Sequence, residues 1–569
     1  MPIFSSNNYY IFNKIKMKTL SSIIVCLIGV LAMSSCSTDK GKMSTDDDSV
    51  MFLRLCATNT ETDKRWDDIF NIIKENPGCC DEVWFSTGLG VPPMEWHQEQ
   101  AQRMIRGSEQ LRAIGIIPSL QIQMTIGHDD NFGYGRDSMY VAKTWTGWTG
   151  STGVEDKYVS CPRQKGFLEY VRQMTRCYAE MKPRYIWIDD DLRDDNHVPA
   201  TNDSYIGCWC DTCIAAFSAE QQTNWTRETL AKAMESDTDL QARWHQFCIG
   251  ALLEIARCVT EETMKVSPDT KMGLQNLMAR ERVGPILQLL HDVSGKPVGY
   301  RPGAGSYFDL DGTHDQIMKS MECSKSMKVL GNPDYVETWC PEVESYPRVY
   351  GGRTAQSALV EGFTALAYGL NTISMFILAG DQEDASIYSY SLLKPIAAAA
   401  PMLKSYAKAN EGTEPVGYEI ETSLDRLYEF GRSGIPVLPG IGKSLGTLSA
   451  EDLGRLSLCT QRSYEVQDLR EELNSRYPSP VVCMAPFVGL LMPRVDKDGH
   501  LKTVGVLNTR IDVQERLRIR LNGIQESVKT VVWYEMKQQP VHLPIEWIDG
   551  QAYVEIPEIA AWNVGYLSI

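Results

Sequence analysis

The chain has 569 residues, more than a single hydrophobic core organises, so two or three domains are expected. Its 43% hydrophobic and 23% charged residues exclude a disordered or fibrous protein. Lys and Arg total 56 against 73 Asp and Glu, a net charge of −17, which repels phosphate backbones and makes nucleic acid an unsuitable partner.

The first fifty residues read as export machinery. Met17-Lys18 opens a short basic start, Leu20 to Met33 is an apolar run too short to span a bilayer, and Ser34, Ser35 and Cys36 follow. A Cys directly after small residues resembles a bacterial lipobox, which implies diacylation of Cys36. The expected product is an exported lipoprotein of the cell envelope, in the outer membrane with a periplasmic or surface face; simple secretion is the alternative. Ser37 to Ser49, rich in Asp, Lys, Ser and Thr, reads as a tether. Residues 1–49 are therefore set aside from the fold.

From residue 50 to 405, short apolar runs alternate with helical patterns, the signature of βα units. Eight strands are predicted: Met51 to Ala57, Glu82 to Thr87, Ile116 to Met124, Arg184 to Ile188, Lys271 to Gln275, Pro297 to Tyr300, Tyr335 to Cys340 and Thr372 to Leu378. The fold class is α/β, a (β/α)8 TIM barrel. A doubly wound open sheet stays open as an alternative, because periodicity does not distinguish closure. Residues 406–494 read as a small α/β domain, and residues 495–569, where alternation dominates, as a β-sandwich.

In a barrel, chemistry gathers at the C-terminal ends of the strands. The fourth predicted strand ends in Asp189-Asp190-Asp191. Three adjacent carboxylates repel one another, and a carboxyl among like charges in a cleft has a raised pKa, which suits a general acid; a helix-capping or cation-binding loop is the alternative. The seventh strand carries Glu337, with Glu342 and Glu344 just beyond. Two carboxyls facing each other across a mouth are what glycoside hydrolysis requires.

Cys208, Cys210 and Cys213 pack three thiols into six residues, and Cys161 offers a fourth. Four thiolates suit a closed, structural Zn2+ site with no catalytic role; disulfides or free thiols are the alternative.

The run Trp187-Ile188-Asp189-Asp190-Asp191, followed by Cys208-x-Cys210-x-x-Cys213 and Phe217, resembles the family 42 β-galactosidases, whose fourth strand ends Ile-Asp-Asn-Glu before a zinc-binding cysteine motif. Cys161-Pro162 looks like that family's upstream zinc cysteine. Glu342, with Pro347 and the helical stretch Ala355 to Gly369 after it, is similar to the nucleophile region. The resemblance implies a retaining, exo-acting, β-galactosidase-like enzyme with Glu342 as nucleophile, followed by Glu344 and Glu337 as candidates, and a homotrimer. It places the acid/base on Asp191, one methylene shorter than the family's Glu, with Asp190 and Asp189 as the alternative candidates.

Carbohydrate is the expected partner, with the membrane reached through the lipid anchor. Arg193, His197, Gln275, Asn276 and Trp339 are the candidate substrate-binding residues, beside Arg301 and the tryptophans Trp145, Trp148, Trp187 and Trp209. Two other functions fit the same residues. One is an inactive barrel acting as a surface glycan-binding lipoprotein. The other is a metal-dependent hydrolase in which His128, Asp129 and Asp130 join the Asp run.

Overall fold

The computed structural model describes residues 49–569 apart from 89, 124, 128–141, 195–204, 278–280, 304, 347–350, 379–384 and 460–462. Cys36, His197, Pro347 and the His128-Asp129-Asp130 trio lie outside the described residues. Among the described residues no helix is long and apolar enough to cross a membrane.

Nine parallel strands make the principal sheet: β1 (Met51–Arg54), β2 (Glu82–Ser86), β3 (Ile117–Ile122), β4 (Tyr185–Ile188), β5 (Lys271–Leu277), β6 (Val298–Gly303), β7 (Val336–Trp339), β8 (Glu342–Glu344) and β9 (Ile373–Phe376). Their order runs β8-β9-β1-β2-β3-β4-β5-β6-β7. The two ends of that order, β7 and β8, are consecutive pieces of one chain segment, so the sheet closes on itself. Only Cys340 and Pro341 separate them, and proline has no N–H for a ladder bond. The barrel thus has eight strand positions, with the seventh in two parts, and an open sheet is excluded.

Each strand position is followed by a helix: α1 (Asp63–Glu75), α2 (Met94–Ala113), α3 (Lys165–Ala179), α4 (Thr238–Val266), α5 (Val283–Ser294), α6 (Thr313–Val329), α7 (Ala355–Ala367) and α8 (Ala385–Ala409). Alternate side chains of each strand point to these helices and form one large apolar core. The others point into the barrel. There Phe52, Trp84, Tyr185, Trp187 and Cys340 form a separate buried cluster, with the Trp84 and Trp187 rings stacked at 4.3 Å.

Two glycines make room for Trp187. A Cβ on Gly273 of β5 would lie 2.3 Å from the indole, and one on Gly299 of β6 also 2.3 Å. Close approach of backbone to ring, rather than backbone conformation, is why glycine stands at both places. Trp187 is therefore part of the barrel filling and not a sugar platform. With the middle of the barrel plugged, polar side chains collect above it at the C-terminal mouth.

Beyond the barrel, a seven-stranded sheet runs in the order Lys443–Thr447, Thr413–Glu419, Gly489–Asp496, Leu501–Asn508, Val564–Ser568, Thr530–Glu535 and Val541–Pro544. A four-stranded sheet of Val481–Cys483, Gln514–Leu521, Gln551–Ile559 and Glu546–Ile548 packs on it through Leu491, Val504, Val506, Leu517, Ile519, Val554 and Ile556. This is the C-terminal sandwich. Strand Gly489–Asp496 runs across the division expected at 494/495, joining the segment after the barrel and the sandwich in one sheet.

Candidate active site

The inward-facing residues one step above the plug come from six strands and form a connected polar layer. Arg54 of β1 donates from Nε to Gln121 of β3 at 3.0 Å, and Gln275 of β5 donates to the same Gln121 oxygen at 3.3 Å. Arg301 of β6 donates from Nε to Gln275 Oε1 at 3.2 Å. Its Nη1 lies 2.5 Å from Glu342 Oε1 on β8, and its Nη2 lies 3.5 Å from Asp189 Oδ1 at the end of β4. Arg54 Nη1 approaches Glu344 Oε2 at 3.4 Å. Both arginines are buried, so these contacts work in a low local dielectric.

Two carboxyls thus share one guanidinium across the mouth. Burial pushes Glu342 up to about 7 against the pull of Arg301, with the charge of Glu344 adding to the rise. Burial also pushes Asp189 up to about 6, helped by the charge of Asp190 and opposed by Arg301. Tyr307, in the loop after β6, donates its hydroxyl to Glu342 Oε2 at 3.3 Å. Gly303 permits this crowding, since a Cβ there would lie 2.6 Å from Glu342 Oε2. Asp190 is more exposed than Asp189 and lies 3.5 Å from Arg193.

Asp191 has a different place. Its Oδ2 accepts hydrogen bonds from the backbone N–H of Thr125 at 2.6 Å and of Gly127 at 2.8 Å, and its Oδ1 accepts from the Thr125 hydroxyl at 2.7 Å. The residue is fully buried. Both of its oxygens are thus committed to the segment after β3 and stand away from the Asp189–Arg301–Glu342 bridge, which corrects its expected place as the acid facing Glu342.

Other expectations are corrected by the direction of side chains. Glu337 lies at the opposite, N-terminal end of its strand, where it pairs with Lys271 at 2.7 Å and accepts from Tyr185. Trp339 faces the helical layer, edge-on to Tyr300, and donates to the Val336 carbonyl. Asn276, the neighbour of inward-facing Gln275, accepts from Arg282 at 3.4 Å. Trp209 is buried against Trp244, and Trp145 packs on Phe167 and Tyr170. Trp148 belongs to the same core.

The mouth residues Arg54, Gln121 and Tyr307 escaped sequence reasoning. A charged Arg ending the apolar run Met51-Phe52-Leu53 was a readable signal, because its parity matches inward-facing Phe52. Tyr307 had none, since its loop has no periodicity.

The four cysteines come together as expected. Their Sγ atoms lie within 4.8 Å of one another, all buried, with Cys161 3.4 Å from Cys210 and 3.5 Å from Cys213. None is in a disulfide. Hydrogen bonds from Cys161 and then the other two thiols hold Cys210 far below the ordinary thiol range. Cys161 follows the hairpin Gly147–Thr149/Glu155–Ser160, and Cys213 sits in the first turn of the helix Asp211–Gln221. The cluster therefore ties the loop after β3 to the loop after β4. Gly207 N–H donates to Asp194 O at 2.8 Å, and Asp194 is clamped by Arg282 at 2.8 Å.

No family profile matches the sequence, and no curated protein is significantly similar to it. Solved structures nevertheless share its architecture over nearly the whole chain. Alpha-L-fucosidase isoenzyme 2 from Paenibacillus thiaminolyticus is similar with a TM-score of 0.55 at 9% identity, over 91% of this chain and 99% of that one. A catalytic mutant of a family 42 β-galactosidase from G. stearothermophilus gives 0.52 at 10%, over 92% and 99%. In fold this chain is similar to the family 42 β-galactosidases. A further structure of that galactosidase gives 0.54 at 10% identity, over 92% and 98%. The likeness covers the barrel and the sheets that follow it.

Proposed function

We propose that the protein is a retaining, exo-acting glycoside hydrolase, β-galactosidase-like, that removes terminal sugars from oligosaccharides or glycans. The observation that carries this reading is the Asp189–Arg301–Glu342 bridge at the C-terminal mouth of the barrel. Glu342 is assigned as the nucleophile by position, on β8 across Arg301 from Asp189, with Arg301 and Tyr307 directing hydrogens at its two oxygens and opposing the rise that burial imposes. Asp189 is the acid, raised by burial and by Asp190. The Glu342 carboxylate attacks the anomeric carbon as Asp189 protonates the leaving oxygen; then Asp189 removes a proton from water, which displaces Glu342.

A glycan-binding lipoprotein is the second reading, favoured by one observation. Asp191, at the position resembling the family's acid/base, is committed to Thr125 and Gly127. A panel of aryl glycosides tests both, with Glu342→Gln as the control. Turnover lost in the variant supports the hydrolase, and binding without turnover in the wild type supports the receptor.

The four buried thiols are proposed to hold one structural Zn2+. Tetrahedral coordination with Zn–S of about 2.3 Å spaces sulfurs by about 3.8 Å, close to the 3.4 and 3.5 Å separations here. The ion would fasten the two loops that frame the mouth and leave no open position for catalysis. Cys36 is proposed as the lipidated residue that anchors the chain in the cell envelope.

A further inference from the structure

Behind Glu342 and Tyr307 lies a cluster of charges that the reaction above does not use. Lys319 of α6, Arg353 just before α7, and Glu361 of α7 are all buried, at 2%, 1% and 0% exposure. Lys319 Nζ lies 3.2 Å from Glu361 Oε1, and Arg353 pairs with Glu361 Oε2. Two cations therefore share one carboxylate, in a place where an uncompensated charge is costly.

The surplus positive charge is turned toward the mouth. Arg353 Nη1 donates to the Glu344 carbonyl at 2.8 Å and so holds β8, the strand that carries Glu342. Lys319 donates to the Ser306 carbonyl at 3.1 Å and stands 5.1 Å from the centre of the Tyr307 ring, so it holds the loop that presents Tyr307. Ser306 takes a left-handed φ of +79°, a conformation a non-glycine residue keeps only where its surroundings enforce it. The Lys319–Ser306 bond is one such constraint.

We propose that Lys319 is a positioning residue for Glu342: with its buried partners Glu361 and Arg353 it ties the Ser306–Tyr307 loop to β8, so that the Tyr307 hydroxyl stays on the Glu342 carboxylate. This rests on the reading of Glu342 as the nucleophile. The groups that face Glu342 are Arg301 and Tyr307 from β6 and its loop, Glu344 on β8, Asp190 just after β4, with Asp189 on the other side of Arg301, and Lys319 and Cys323 from α6. Arg54 of β1 acts on its neighbour Glu344. Among these, Lys319 is the cation supplied from outside the barrel wall, and it opposes the rise that burial imposes on Glu342.

The test uses the full mature chain and three variants. Lys319→Met should move the acid limb of kcat/KM upward by about one pH unit, about tenfold in rate below the limb, through kcat with KM little changed. Lys319→Arg should restore the wild-type limb. Glu361→Gln breaks the cluster that holds Lys319 in place and should move the limb the same way with Lys319 itself retained, a shift of the limb that general loss of structure does not produce. An unmoved limb, or equal loss at every pH, overturns the inference. Should the wild type turn over no glycoside, the glycosidase reading fails. The inference is then decided by carbodiimide labelling of Glu342, mapped by mass spectrometry as pH falls. Labelling that begins at higher pH in Lys319→Met supports it, and identical labelling profiles overturn it.

Discussion

Asp191 and Thr125 are joined twice: one carboxylate oxygen accepts the Thr125 backbone N–H at 2.6 Å and the other its hydroxyl at 2.7 Å. The third Asp of the run is thereby an anchor for the segment after β3. Asp191→Asn turns a donor toward these donors, and each hydrogen bond lost from a charged acceptor costs about 1.5–3 kcal/mol. Urea denaturation should register that loss. Activated aryl glycosides and glycosides with poor leaving groups should slow by the same factor, whereas loss confined to poor leaving groups would return Asp191 to the role of acid.

Glu342→Gln should lower kcat by a factor of about 10³ or more, because it removes an attacking group rather than a binding contact. A fluorosugar that traps the glycosyl-enzyme should label Glu342, as peptide mapping would reveal. Label on Glu344 would move the role by two residues. Inverted product with no label would remove the double-displacement mechanism.

The pair Asp189 and Glu342 should give a bell-shaped pH profile. Both carboxyls are raised, to about 6 and about 7, so each keeps its proton to higher pH than an ordinary carboxyl. Well below 6 both are protonated and no nucleophile exists; well above 7 both are charged and no acid remains. For poor leaving groups kcat/KM should peak between these values, which belong to the coupled pair. With an activated aryl glycoside the alkaline limb should weaken, and in Asp189→Asn it should disappear.

Elemental analysis should find about one zinc per chain, and a strong chelator or Cys210→Ser should lower the melting temperature. Turnover by the surviving folded fraction should be unaffected by added metal. Disulfides among Cys161, Cys208, Cys210 and Cys213 in mass mapping would exclude the metal site.

Gly273→Ala should destabilise the barrel by about 1–3 kcal/mol, the usual cost of overpacking a filled core. The added methyl would meet the Trp187 ring at 2.3 Å. Thermal melting checks this, and Trp187→Phe in the same chain should recover part of the loss.

The eight-strand pattern was legible because a barrel strand buried on both faces is a short apolar run between helical stretches, and such runs depend only on local composition. The cysteine cluster was legible for a similar reason, since three of its four thiols lie within six residues. Which of three adjacent aspartates faces the mouth was not legible. One step along a strand end reverses a side chain, and the loop segment that captures Asp191 is 64 to 66 residues away in the chain. The same holds for Glu337 and Glu342. They are five residues apart in sequence, but Glu337 sits at the opposite end of the strand from the mouth, where Glu342 meets Arg301. Sequence determined where strands, helices and clustered thiols occur, because those follow from neighbours along the chain. Tertiary structure decided which carboxyls share Arg301, because burial and charge at the mouth are set by β1, β3, β4, β5, β6 and β8 together.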